Sequence, residues 1–247
     1  MSPPAYVPWE RAPFGAEKGC EGCCDHDTSQ MSSPVWDTAC VSEGATTVPA
    51  QPGARHPAPG VLQLVQEFVN SVDLEDGPDG FANPRLLRTW LIERGLLDER
   101  ERIGADQLRR AVAVREAIRA LALANNGGPS NLEAAKTLTE AVGAAPLVVR
   151  FDARGGAAIE PVAGTMDNAL SFLAGLVFQA ILEGTWPRLK ACRRDVCHWL
   201  FYDRSKNRSS TWCAMSICGN RVKTRAYYGR RHRGPTATTV GAAPPLR

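Results

Sequence analysis

The sequence predicts a mainly α-helical (α+β) fold: a helical domain with a small β-hairpin, followed by a small cysteine-containing C-terminal module. Three observations support this prediction. Apolar residues recur at helical spacing over residues 58–185, a short apolar segment at 147–151 precedes a Gly-Gly turn, and basic residues and paired cysteines concentrate in residues 186–233. The 247 residues, 44% of them hydrophobic, suffice to bury a core.

The two ends of the chain lack such patterns. Residues 1–57 are rich in Pro, Gly, Ser and Thr, and residues 234–247 resemble them, so we expect a disordered N-terminal extension and a disordered tail. The extension contains five side chains that can bind metals, but without basic or aromatic neighbours in a regular pattern they are better interpreted as unstructured than as a second metal site: Cys20, Cys23, Cys24, His26 and Cys40.

The first two helices are indicated by an apolar face and by capping residues. One broad apolar face over Val61–Val69 predicts a helix that ends at Asn70. Asn83 as a cap and Pro84 in the first turn predict the start of a second helix, which Gly95 ends.

A longer helix and a shorter one follow. Asp106 opens an amphipathic helix that the Asn-Asn-Gly-Gly segment 125–128 closes. Ser130 and Glu133 have the spacing of a capping box, which predicts a fourth helix through Val142.

A hairpin and a fifth helix complete the helical domain. Leu147–Phe151 predicts a strand, which Gly155 and its neighbour turn back into a second strand over residues 157–161. Thr165 then caps an apolar helix that stops at Gly184.

The net charge of +3 conceals an asymmetry along the chain. Residues 188–233 contain 13 lysines and arginines against two acids, whereas the rest of the chain contains 16 basic and 24 acidic residues. Such polarity indicates that the C-terminal module meets a polyanion and that the helical domain does not.

Four cysteines in this module have the spacing of a metal site. Cys192 and Cys197 form one pair and Cys213 and Cys218 another, each with four intervening residues, and fifteen residues separate the pairs. Closed zinc sites use four such ligands, and a module of about 45 residues needs a metal to supply its folding free energy. The sequence therefore predicts one structural Zn²⁺; four free thiols or an iron–sulfur cluster are the alternatives, and His198 could replace a cysteine.

Residues around the cysteines are expected to support the site. Gly219 should let a backbone amide point at sulfur, and the negative charge of four thiolates should be offset by Arg193, Arg194 or Arg221. Four aromatic residues are expected to pack around the cysteines: Trp199, Phe201, Tyr202 and Trp212.

Eight basic residues between and after the cysteine pairs are expected to contact phosphates with salt-dependent affinity. They are Arg204, Lys206, Arg208, Arg221, Lys223, Arg225, Arg230 and Arg231. The last five fall at spacings that could line one or two faces of a helix over residues 222–228, where Tyr227 and Tyr228 could stack or contact the backbone. One or two of the arginines are expected to neutralise thiolates or to contact the helical domain instead.

Several motifs carry a family resemblance. Leu200–Ser205 (LFYDRS), Trp212-Cys213 and the Cys-Gly-Asn-Arg sequence 218–221 resemble the CGNR zinc finger. Phe68–Asp73, Trp90-Leu91 and the helix over residues 108–121 resemble the ABATE domain. The resemblance spans roughly residues 58–232 and implies a stress-related bacterial transcription regulator whose finger binds DNA. Ser210 and Thr211 stand where family members often have two arginines, which implies the loss of up to two phosphate contacts, although Arg208 could compensate.

The helical domain contains polar residues near apolar stretches that form a candidate ligand pocket: Asn70, Asp73, Arg115 and Arg119. The favoured interpretation is structural, with the first two ending a helix and the arginines forming ion pairs.

We therefore predict a DNA-binding transcription regulator whose helical domain senses an unknown small-molecule effector or forms a homodimer. An RNA-binding protein, or a protein-interaction module with a purely structural zinc site, are the alternatives. Because the sequence lacks a phosphate-binding loop, a nucleophile elbow and a histidine-rich metalloprotease motif, we do not expect an enzyme. It also lacks a secretory signal and an apolar run of eighteen residues, so we expect a cytoplasmic protein without membrane contact.

Overall fold

A computed structural model of the protein describes residues 51–75, 77, 79–162 and 164–232. Within these ranges the helices are α1 (Leu62–Val69), α2 (Pro84–Ile92), α3 (Ala105–Ala124), α4 (Leu132–Gly143), α5 (Met166–Leu182) and α6 (Asn220–His232). The strands are β1 (Val148–Phe151), β2 (Ala157–Glu160), β3 (Leu189–Ala191) and β4 (Leu200–Tyr202). The predicted tail and most of the predicted extension, including its five candidate metal ligands, lie outside the described residues.

The fold is mainly helical with a small β part, as predicted. Helix α3 packs against α4 and α4 against α5, while α1 lies against both α3 and α5. Their shared core includes Leu62, Leu87, Ile118 and Leu173, none of them more than 1% exposed. Three aromatic rings extend it with centroid separations of 5.5–5.6 Å: Phe68, Phe81 and Trp90.

The capping residues fix the helix starts. Asn83 accepts from the backbone N–H of Leu86, and Thr165 accepts from that of Asn168, which confirms both predicted caps. The capping box predicted at Ser130 is wrong by one residue. Asn131 is the cap and accepts from the N–H of Ala134 at 2.9 Å, so that Glu133 is free to bind Lys136 further along the helix.

Helix α3 begins one residue before the predicted Asp106. Gly104 is its cap, and the side chain of Gln107 accepts from the Gly104 N–H at 3.0 Å. Asp106 lies in the first turn, where its negative charge interacts favourably with the helix dipole and stabilises the helix.

The part of the chain that the structure describes forms two separate antiparallel hairpins. The first, β1–β2, confirms the prediction and pairs Val148 with Glu160 around a turn in which Gly155 has a φ of 83°. The second, β3–β4, was not predicted and pairs Leu189 with Tyr202. Its strands have three residues each and are buried throughout, so the alternating pattern that marks a half-exposed strand is absent.

The second hairpin is joined to α1 by buried side-chain amides. Asn70 accepts from the N–H of Leu200 and donates to its carbonyl, both at 2.8 Å. Gln66 donates to the same carbonyl at 3.0 Å and accepts from the N–H of Ala58 at 2.7 Å. These bonds fix the start of β4 against the helical core.

Residues 51–57, which the sequence assigned to the extension, lie over the C-terminal module. Gln51 accepts from the indole N–H of Trp199 at 3.1 Å. Arg55 donates to the carbonyl of Trp212 at 3.2 Å, and its guanidinium lies 4.7 Å from the ring centre of Phe201.

Among the described helices, none is long and apolar enough to span a bilayer.

Candidate zinc centre and basic C-terminal helix

Four buried cysteines meet at the loop end of the β3–β4 hairpin. Cys192 follows β3 and Cys197 precedes β4, while Cys213 and Cys218 lie on either side of the start of a π-turn, Met215–Gly219. Their sulfur atoms all lie within 4.8 Å of one another. A tetrahedral zinc ion with Zn–S bonds of about 2.3 Å places its sulfurs about 3.8 Å apart, close to the 3.7 Å from Cys197 to Cys213 and the 3.5 Å from Cys213 to Cys218. The four side chains can therefore hold one structural zinc ion.

Hydrogen bonding within the cluster shifts the pKa values of its thiols in opposite directions. Hydrogen bonds from Cys197 and Cys213 lower the pKa of Cys192, and backbone N–H groups of Cys213 and Arg194 act in the same direction. The hydrogen bond with Cys192, together with burial, raises the pKa of Cys197, and the hydrogen bonds with Cys192 and Cys197 raise the pKa of Cys213, because adjacent sulfurs cannot all ionise without a cation. A divalent ion would remove that restriction and bind all four as thiolates.

Gly219 does not have the role predicted for it. Its N–H donates to the carbonyl of Ala214 at 3.2 Å rather than to sulfur. A Cβ at this position would lie 2.4 Å from Met215 Sδ and 3.0 Å from Trp212 Cδ1, so close packing explains the glycine.

The aromatic residues divide between two cores because side chains alternate between the two sides of β4. Trp199 and Phe201 pack with the four cysteines, and Trp212 lies against them, as predicted. Tyr202 does not: with Leu200 it faces the helical core, because successive side chains of β4 point to opposite sides. The hairpin thus belongs to both cores at once.

Arg194 contacts a sulfur of the cysteine cluster. Arg194 Nη1 lies 3.8 Å from Cys218 Sγ, which confirms the expectation that an arginine offsets thiolate charge. The same guanidinium forms a two-point ion pair with Glu75, which also accepts from Arg221 Nη1 at 2.8 Å. These bonds lower the pKa of Glu75, chiefly through its hydrogen bond with Arg194, and the partnership with Glu75 raises the pKa of Arg194. Arg193 is exposed.

A buried ion pair shapes the loop between the cysteine pairs. Lys190, on β3, donates to Asp203 Oδ2 at 2.8 Å and to the carbonyl of Arg208 at 2.5 Å. Asp203 is fully buried and accepts further from Ser205 and from the N–H of Ser210. Although burial opposes its charge, these hydrogen bonds hold the pKa of Asp203 well below its usual value.

Two family models match the chain. A model described as "Putative stress-induced transcription regulator", the ABATE domain, matches residues 62–183, and the model of the CGNR zinc finger matches residues 188–231. The chain carries an ABATE domain followed by a CGNR zinc finger. This combination fits a regulatory role, and neither family is an enzymatic type. A search of curated proteins found no match.

The predicted phosphate contacts of the finger lie in two groups. Arg204, Lys206 and Arg208 are exposed in the loop, where Arg204 donates to the carbonyl of Pro57 at 3.0 Å. Helix α6 carries the rest: Arg221, Lys223 and Arg225 are exposed, and the side chains of Arg230 and Arg231 lie outside the described part of the protein.

Helix α6 is longer than the predicted 222–228 segment and has little contact with the rest of the finger. It begins at Asn220, directly after the π-turn, and reaches His232. It packs on that turn, and from Lys223 to Gly229 every residue is exposed. No residue of α6 is acidic.

The four residues of the candidate ligand pocket have protein partners. Asn70 binds Leu200 as described above, and the exposed Asp73 accepts from the N–H of Glu75. Arg115 forms a two-point ion pair with Asp79, at 2.7 and 2.9 Å.

Arg119 joins the ABATE domain to the finger. It donates to the carbonyl of Val69 at 2.7 Å and to that of His198 at 3.1 Å, and with Arg115 it binds Glu116. Burial lowers the pKa of Arg119, while the hydrogen bonds that Arg115 donates to Asp79 raise the pKa of Arg115 against the same effect. The structure therefore brings Arg115 and Arg119 together at Glu116 and leaves Asp73 apart.

Sequence reasoning missed three residues that organise the site: Gln66, Glu75 and Lys190. Gln66 interrupts an apolar helix face and Lys190 interrupts an apolar strand, and a polar residue in such a position signals a buried partner. Glu75 lies in an acidic loop, 119 residues before Arg194, and the sequence carries no signal for that pairing.

Proposed function

We propose that the protein is a transcription regulator that binds duplex DNA through its CGNR finger, and that its ABATE domain senses a small-molecule effector or mediates dimerisation. The observation that carries the proposal is the exposure of α6, a helix with basic residues and no acids that follows the last cysteine of the candidate zinc site. Arginine and lysine contacts to phosphate supply most of the affinity of such modules.

The basic residues of the finger divide by what they bind. Arg188 donates to the carbonyls of Asp203 and Ser205, and Lys190 and Arg194 have carboxylate partners. These three support the fold, and we do not assign them to DNA. The proposed interface consists of the exposed residues that the sequence predicts as phosphate contacts, of which Arg221 also pairs with Glu75: Arg204, Lys206, Arg208, Arg221, Lys223 and Arg225.

The loop of the finger is preorganised for such contacts. Lys190 binds the carbonyls of Arg208 and Ser210 in addition to Asp203, so the backbone between Asp203 and Ser210 is fixed from inside. A loop whose backbone is already ordered loses less conformational entropy when its side chains bind phosphate.

A physical route exists for communication between the ABATE domain and the finger. Arg119 on α3 binds the carbonyl of His198, and Asn70 after α1 binds Leu200. A ligand or a second subunit that moved α1 against α3 would act on both bonds, and hence on the start of β4. This arrangement supports the proposed sensing or dimerising role.

The test is fluorescence anisotropy of the zinc-loaded full chain on a labelled random DNA duplex, titrated across salt concentration. We expect affinity that falls steeply with salt and that disappears when a chelator strips the metal. The double variant Lys206→Ala/Lys223→Ala should reduce the slope of log K against log salt by about two, one for each lost phosphate contact.

The matched control is Arg154→Ala, an exposed arginine of the ABATE hairpin, which should leave both affinity and slope unchanged. Absence of binding at low salt would overturn the proposal and favour a finger that only braces the ABATE domain. Tighter binding to single-stranded RNA than to duplex DNA would favour the RNA-binding alternative instead.

A further inference from the structure

Helix α6 has the composition of a helix that needs a partner. A polar helix of 13 residues with a glycine at position 229 is marginal in water unless something packs against it. Its described side chains from Lys223 onward are exposed, so the fold supplies little of that packing. The cysteine cluster fixes only its first turn, because Cys218 lies two residues before Asn220.

The two sides of α6 differ in chemistry. At 100° per residue, Arg221, Thr224, Arg225 and Tyr228 share one side, and Lys223 and Tyr227 lie on the other. The first side, with Ser216 and Ile217 of the π-turn, lines an open hollow of about 510 Å³. Arginine, threonine and tyrosine offer the donors, acceptors and methyl group that contact base edges, whereas a lone lysine suits a phosphate.

The dimensions of α6 suit one groove in particular. A helix of 13 residues is about 20 Å long and, with its side chains, about 10–12 Å across, and the major groove of B-DNA is about 12 Å wide. The major groove of A-form RNA is too deep and narrow to admit a helix. Charge and shape together therefore select duplex DNA.

Within the first side, Arg225 is the strongest candidate for reading a base. Arg221 is held at the root of the helix by Glu75, at 2.8 Å. Arg225 lies one turn further out and is exposed, with Thr224 beside it and Tyr228 on the next turn. An arginine in this position can donate two bonds to O6 and N7 of a guanine.

We infer that α6 is a recognition helix that lies in the major groove of duplex DNA, where Arg225, with Thr224 and Tyr228, contacts base edges and Lys223 contacts phosphate. This inference rests on the proposed function, since it specifies how the finger would bind DNA. It predicts that one side of α6 sets sequence preference and that the other side sets affinity alone.

The test is selection of bound duplexes from a random library by the zinc-loaded wild type, Arg225→Ala and Lys223→Ala, followed by affinity measurements on the selected duplex. Arg225→Ala should lose discrimination at one base pair or more by about 5- to 150-fold. Lys223→Ala should keep the wild-type preference and weaken all duplexes alike, with a salt slope smaller by about one. Zinc content of one ion per chain and an unchanged circular dichroism spectrum would show that both variants are folded.

A chemical substitution on the DNA makes the test independent of folding. Replacing guanine by 7-deazaguanine removes the N7 acceptor from the major groove, so it should weaken wild-type binding and leave Arg225→Ala binding unaffected. Wild-type preference in Arg225→Ala, or no effect of 7-deazaguanine, would overturn the inference while salt-dependent binding still upheld the proposed function. Absence of all DNA binding would overturn both, and equal binding of an RNA duplex would overturn the groove assignment.

Discussion

The carboxylate of Glu75 in the ABATE domain binds the guanidinium of Arg194 in the finger through both of its oxygens. It also accepts from Arg221, at the first turn of α6, while Arg194 reaches the sulfur of Cys218. One acid of the ABATE domain is thereby connected both to a candidate metal ligand and to the helix that we assign to DNA.

Replacing Glu75 with glutamine should raise the affinity of the zinc-loaded protein for random duplex DNA about two- to five-fold, because it removes a negative charge beside Arg194 and Arg221. Anisotropy at one fixed salt concentration measures this. Glu140→Gln removes the same charge from an exposed position on α4 and should leave the affinity unchanged. Equal affinities for all three proteins would show that Arg221, the partner of Glu75 in the proposed interface, does not contribute to DNA binding.

Replacing Cys218 with serine should abolish stoichiometric zinc binding and the cooperative melting of the finger, because three thiolates leave a closed structural site incomplete. Measured zinc per chain should fall from one ion to much less than one. Cys24→Ser, which changes a cysteine outside the cluster, should keep one ion per chain. Full zinc retention in Cys218→Ser would contradict the ligand set.

Replacing Asn70 with alanine should destabilise the protein by about 2–3 kcal/mol. The variant loses two buried hydrogen bonds to Leu200, and the backbone N–H of Leu200 is left without a partner. Urea denaturation of the zinc-loaded protein measures the change. Asn131→Ala removes one helix cap at the surface and should cost only about 1 kcal/mol. If the two variants were equally stable, the junction between α1 and β4 would not contribute as proposed.

The ion pair of Asp79 and Arg115 predicts a defined dependence of stability on pH. Hydrogen bonds from Arg115 lower the pKa of Asp79 below its usual 3.8, against the opposing effect of burial, so its stabilisation is complete above that pH and is lost as pH falls through the lowered pKa. Asp79→Asn should therefore be less stable than the wild type by about 1–3 kcal/mol from pH 7 to pH 5, and the difference should shrink below pH 3.8.

Urea denaturation of the wild type and of Asp79→Asn at each pH measures the difference in their free energies of unfolding. Because both proteins have the same cysteines, the effect of acid on the cysteine cluster cancels in this difference. Asp106→Asn removes an exposed partner of Arg109 and should change stability by at most about 1 kcal/mol. A difference for Asp79→Asn that grew as pH fell would have the wrong sign for this ion pair.

Local chemistry made much of this molecule predictable. Asn83 and Thr165 cap helices by bonds to residues three positions away, and the four cysteines carry their spacing in the sequence itself. What could not be predicted depends on partners distant in the chain. Asn70 and Leu200 are 130 residues apart, and Tyr202 packs on the helical core because β4, a strand that the sequence did not reveal, lies between that core and the cysteine cluster.

The sharing of the second hairpin between two cores also limits how the finger can be moved between proteins. Segment 188–231 taken alone would expose Leu189, Ala191, Leu200 and Tyr202, which pack with the ABATE helices, and would leave Leu200 without Asn70 and Gln66. Grafting this finger onto another scaffold would therefore require replacing the apolar side chains on one side of its hairpin with polar ones. Fusion partners intended to redirect its DNA binding should instead be attached to the intact pair of domains.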